Sequence, residues 1–172
     1  LGRAYFANSN FVDAEEALLN AWWIASEQEL PWGVRDQALL IACMAYKQNF
    51  EDHALADLSD GLAEEYLKKE TNDFDNFQNI EYVKILKGNV EAYESLKSFY
   101  GKDLARAHFY AGIRSSILGD TKLALSYFKK AEDIGWQYHI ETGSFLSEMI
   151  MARGEIRRLS GDSWLLRFAD GK

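Results

Sequence analysis

Very little in this chain interrupts a helix. Pro31 is the one proline among 172 residues; because proline lacks a backbone donor and clashes with the preceding turn, its scarcity leaves long helices unbroken. Cys43 is the one cysteine, which excludes an intrachain disulfide and a cysteine-based metal site. Its apolar neighbours place it in a core rather than at a reactive surface. The three histidines, His53, His108 and His139, are widely separated, and none has a second His or Cys at metal-ligand spacing. His53, between Asp52 and Asp57, reads as an exposed helix residue beside carboxylates. The longest apolar stretches, such as Ala38 to Ala45, fall far short of the roughly 20 residues that cross a bilayer. No membrane insertion is therefore expected. A secretory leader, a Gly-rich phosphate loop, a nucleophile elbow and an HExxH pair are also missing. The expectation is a protein without catalytic residues, metal or cofactor. Beginning on Leu1-Gly2, apparently inside a repeat, the chain reads as a piece of a longer protein.

Positive charge is scarce as well. The net charge is −8, and it is uneven: residues 1–50 carry −3, residues 51–100 carry −7 and residues 101–172 carry +2. Binding to a polyanion requires clustered Lys and Arg that release counterions, so nucleic acid is an unsuitable partner. The one basic cluster, Arg153, Arg157 and Arg158, is interrupted by Glu155 and reads as a solvated face.

What is present is a recurrence of small residues. Gly2, Ala14 and Ala21, then Ala42, Ala54 and Gly61, then Gly112, Ala124 and Ala131 are each separated by 12 and then 7 positions. In each copy a larger apolar residue, Leu18, Leu58 or Phe128, follows the middle alanine by four, one helical turn along the same face. A Gly or Ala at such a place lets two helix axes approach toward the lower end of the usual 8–10 Å. The reading is one all-α domain of about four antiparallel helix pairs, an α-solenoid with a C-terminal capping helix. Its units fall at about residues 1–30, 34–70, 74–100 and 103–136, and the cap at 137–172. Asn8-Ser9-Asn10, Gln48-Asn49, Gly88-Asn89 and Gly119-Asp120 are the turns within pairs. Gly135 is read as the end of the fourth pair, followed by a helix from about Gln137 to Met151 that Arg153-Gly154-Glu155 interrupts. The stretch from Trp164 to Phe168 is read as a short terminal helix.

Arg106-Ala107-His108-Phe109-Tyr110-Ala111-Gly112, followed by Gly119-Asp120, Ala124, Phe128 and Ala131, resembles a tetratricopeptide repeat. Leu1-Gly2-x-x-Tyr5 with Ala14, Leu18 and Ala21 resembles it equally, and the likeness extends over residues 1–138. The chain departs from that family in lacking the terminal proline of each repeat and in carrying His108 where Trp is frequent. Its middle alanines, Ala14, Ala54, Ala92 and Ala124, stand 40, 38 and 32 apart instead of 34. The resemblance implies that the first helix of each pair lines a concave groove receiving a peptide or helix. Mapped by helix face, the groove candidates are Phe6, Cys43, Tyr46, Lys47, Gln78, Glu81, Lys84, Arg106, Phe109, Tyr110 and Ile113. Aromatics there supply contact area and Arg106 or Lys47 a polar anchor. The competing reading is that Tyr46, Phe109 and Tyr110 only pack between repeats.

These observations point to a non-catalytic scaffold with a protein or peptide partner. Two alternatives stand beside it: a cytosolic secretion chaperone of tetratricopeptide type, and a helical-repeat ligand sensor or enzyme using His53, Glu81 or His108. Adjacent Trp22 and Trp23 lie about 100° apart on a helix, so an exposed one is expected to mark a second binding patch or a homodimer contact. A cytoplasmic location is the expectation, with the periplasm open if a leader has been removed.

Overall fold

The computed structural model describes residues 1–27, 37–48, 74–88 and 99–161. Among them the chain is all-helical: seven helices and no strand. They are α1 (Gly2–Ala7), α2 (Phe11–Glu27), α3 (Gln37–Gln48), α4 (Phe74–Lys87), α5 (Gly101–Ile117), α6 (Thr121–Thr142) and α7 (Ser147–Ser160). The second helices expected for units two and three, carrying Ala54, Leu58, Ala92 and Leu96, lie outside the described residues. So do His53, the Pro31-Trp32-Gly33 break and the stretch from Trp164 to Phe168.

Local chemistry fixes the turns. The Asn10 side-chain oxygen accepts from the Asp13 amide at 3.4 Å, and Asp120 Oδ1 accepts from the Leu123 amide at 3.0 Å, so each satisfies an orphan donor at the start of a helix. Leu118 to Asp120 is the short connection between α5 and α6, as the Gly119-Asp120 pair predicts.

Small residues then set the packing of α1 on α2 and of α5 on α6. A Cβ on Gly2 would lie 2.7 Å from Leu18 Cγ, and one on Gly112 would lie 2.6 Å from the Phe128 ring. Ala14, Leu18, Ala124, Phe128 and Ala131 are all buried. The 12 and 4 spacing therefore marks the same contact in both pairs. Since Ala124 has no room to grow, Ala124→Phe is expected to lower stability by about 1–3 kcal/mol through overpacking. Thermal melts of the two chains that coincide would rule out a close contact there.

Two boundaries differ from the sequence expectation. Helix α6 does not stop at Gly135 but runs on to Thr142, and α7 does not break at Gly154. Neither glycine is a turn. A Cβ on Gly135 would lie 2.7 Å from Met149 Cβ, and one on Gly154 would run into the carbonyl oxygen of Ala7. Both are places where a neighbouring element comes too close for a side chain. The actual break is at Gly143, whose φ of 73° puts it in the left-handed region as the cap of α6. The expected cap of 137–172 is thereby divided: residues 137–142 extend α6, and a separate α7 starts at Ser147.

Consecutive described helices pack on one another, and α3 also meets α5. Helix α5 supplies much of the core through Ala107, Phe109, Tyr110, Ala111 and Ile113. The last described helix turns back: α7 packs against α6, α5 and α1. Arg3 Nη1 donates to Ser147 Oγ at 2.5 Å, joining residues 144 positions apart.

Candidate binding face

Three of the four first helices of the expected pairs, α1, α3 and α5, bring together five of the groove candidates. Phe6, from α1, has its ring 6.1 Å from Tyr46 of α3 and 5.9 Å from Phe109 of α5. Phe11 stacks on Tyr46 at 4.6 Å, and Tyr110 stacks on Tyr82 of α4 at 5.2 Å. Ring pairs at these separations add to the burial of their area. Phe6, Phe109, Tyr110 and Ile113 are buried, and Tyr46 is half-buried. Cys43 is also buried.

These side chains do not line an open groove, because α7 lies across them. Met151 and Ala152 of α7 share their apolar cluster, with Ile156 and Leu159 packed at its edge. Glu155 is 1% exposed, and its Oε2 accepts from the Tyr46 hydroxyl at 2.9 Å and from Arg158 Nη2 at 2.6 Å. Arg158 in turn donates to Ser116 Oγ at 2.8 Å and lies 4.8 Å from the Tyr46 ring centre. Burial, reinforced by the Glu155 carboxylate, pushes the Tyr46 phenol well above its ordinary pKa and keeps it a donor.

A second polar group anchors the start of α7. Glu148, 4% exposed, pairs with Arg106 Nε at 3.3 Å and accepts from Ser147 Oγ at 3.1 Å. Arg106 also faces Asp103 at 3.6 Å, whose Oδ1 accepts from the Tyr82 hydroxyl at 3.4 Å. The 3.3 Å approach is misaligned for a hydrogen bond, so the Arg106–Glu148 contact is an ion pair. Burial works against the Arg106 charge, yet Glu148, Tyr82, Tyr110 and Asp103 together hold its pKa above the usual value. Arg106 thus stands in the predicted region, already engaged by carboxylates of its own chain.

Of the remaining candidates, the described ones are Lys84 and Glu81 of α4. Lys84 is tied to the largely buried Glu81 at 2.6 Å. The side chains of Lys47, Gln78 and Trp22 lie outside the described residues, while Trp23 is 61% exposed. Within the basic cluster, Arg153 pairs with Glu132 and sits over Trp136. Arg157 and Arg158 are exposed, in keeping with a solvated face, and the Arg158 guanidinium also reaches in to the buried Glu155. Sequence reasoning missed Ser147, Glu148, Glu155 and Arg158. A signal was there: Glu148, Ala152 and Glu155 recur at four and then three positions, one face of a helix, beside Met151.

His108 is half-buried against Tyr127, and its Nδ1 has no hydrogen-bond partner among the described residues. Burial, with Lys130 adding to it, lowers its pKa from 6.5 to about 4. As pH falls through that window, the unfolded chain takes up a proton that the folded chain refuses, so stability falls with it. By pH 5 the loss is expected to reach about 1–2 kcal/mol, after allowance for the water that still reaches the ring. Denaturant unfolding of the chain and of His108→Phe across pH 7.5 to 5 checks this: the variant should have the shallower slope.

Compared with protein-family models, curated proteins and solved structures, the chain matches none. Among the described residues no helix is long and apolar enough to cross a membrane, and no group of three His, Cys, Asp or Glu could hold a metal ion.

Proposed function

We propose that this chain is a protein-interaction module built on tetratricopeptide-like helix pairs, and that α1, α3 and α5 form the face that takes a helical segment of a partner. The observation that carries this reading is α7: a helix is already received on the face that the repeat pattern marks as the groove. Repetition of the glycine contact, Gly2 on Leu18 and Gly112 on Phe128, supports the division into equivalent pairs and hence a solenoid of such pairs. Aromatic side chains on that face supply rigid contact area, and Arg106 with Tyr46 supplies polar direction, as in helix-in-groove recognition.

Capture on the immobilised chain, followed by cross-linking and mass spectrometry, tests the reading. The expected result is a retained polypeptide cross-linked to residues of α1, α3 or α5. Retention of a small molecule and no polypeptide would replace it with a ligand-sensing role.

A further inference from the structure

Helix α7 buries two carboxylates, Glu148 and Glu155, against a face that is otherwise aromatic and aliphatic. Burying a charge is costly unless it is paired, and a paired charge adds little stability over an apolar side chain of the same size. What such pairs add is orientation. The seat of α7 therefore combines apolar contacts with the core, through Met151 and Ala152, and the paired charges found at interfaces between domains.

The groups that meet the carboxylates are distributed over the face. Arg106 of α5 meets Glu148, and Glu155 is met by the Tyr46 hydroxyl of α3 as well as by Arg158 of α7 itself. Arg3 of α1 holds the neighbouring Ser147. Glu148 and Glu155 are seven residues apart, two helical turns, so Arg106 and Tyr46 read a spacing as well as a charge. Between the carboxylates lie Met151, Ala152 and Gly154, the last against the Ala7 carbonyl, where a larger residue would separate the helices. The face thus offers one cation, Arg106, and one hydroxyl donor, Tyr46, at that spacing, while the cation that completes the Glu155 pair, Arg158, comes with the helix that is received.

We propose that α7 is a tethered and displaceable occupant of this face. In its place the face accepts an amphipathic partner helix with two carboxylates seven residues apart and methionine or small residues between them. The inference rests on the reading of the chain as a protein-interaction module and names the chemistry of the partner. Because α7 is joined to α6 through only Gly143 to Leu146, it competes at high effective concentration, and a partner gains access when α7 swings out about that connection.

The test uses the full chain and a fluorescent synthetic peptide of residues 145–161. By hydrogen exchange, amides of α7 are expected to open at least tenfold more often than those of α5 and α6, without global unfolding. In anisotropy titrations the peptide is expected to bind Gly154→Ala, whose own α7 is pushed off Ala7, at least tenfold more tightly than the unaltered chain. A peptide carrying both E148Q and E155Q is expected to bind at least tenfold more weakly. Amides of α7 that exchange only together with those of α5 and α6, or absence of peptide uptake by both chains, overturns the proposal. Either result leaves the capture experiment to decide the wider reading. The exchange measurement needs no variant, so it decides the matter even for a Gly154→Ala chain that does not fold.

Discussion

Replacing Phe109 with alanine is expected to lower the stability of the chain by about 3–5 kcal/mol. Phe109 is fully buried at the point where three other rings converge, those of Phe6 at 5.9 Å, Tyr110 at 5.2 Å and Phe128 at 5.9 Å. Its removal forfeits the transfer of a phenyl ring from water and leaves a void between α1, α5 and α6. Aromatic neighbours are too stiff to close such a void. Urea unfolding of Phe109→Ala and the unaltered chain measures the difference. Ile140→Ala, at an exposed position on α6, is the control and should stay within about 0.5 kcal/mol. A loss at Phe109 under about 1 kcal/mol would mean that the rings do not form a packed core.

Arg158→Ala has the second large expected effect, and its cause is electrostatic. The substitution leaves the Glu155 carboxylate buried with the Tyr46 hydroxyl as its remaining partner in the described network. Losing one member of a fully buried pair costs about 3–5 kcal/mol, because the stranded charge keeps its desolvation penalty; with 30% of the Arg158 side chain in water, a loss of about 2–3 kcal/mol is expected here. Replacing both members, with Arg158→Met and Glu155→Met together, should recover most of that loss. Denaturant midpoints of the two single variants and the double variant form the cycle. Equal losses in Arg158→Ala and the double variant would show that the carboxylate is not stranded.

Fold class was legible in the sequence because helix-forming composition and the spacing of small residues act locally. Gly2 with Ala14, and Gly112 with Ala124, announce the contacts within pairs that the structure contains. Gly135 and Gly154 were misread for an equally physical reason: a glycine that ends a helix and a glycine that admits a neighbour look alike until the neighbour is placed. The aromatic face follows from the tetratricopeptide resemblance mapped by helix face, and Phe6, Tyr46, Phe109, Tyr110 and Ile113 do come together. That α7 covers it could not be read from periodicity, because Phe6 and Met151 share a cluster only through the tertiary path of the chain. Glu148 and Glu155 were passed over because carboxylates on a helix are ordinarily solvated, and burial is a property of the assembled molecule.

The bond from Arg3 to Ser147 has a bearing on synthesis. Helices α1, α3 and α5 leave the ribosome before α7 exists, and at a translation rate of about 5–20 residues per second the interval lasts some seconds. During that interval the nascent polypeptide presents Phe6, Tyr46 and Phe109 without their own covering helix. A helical partner of the kind proposed would meet its least contested opportunity co-translationally, before the mature chain has sealed itself.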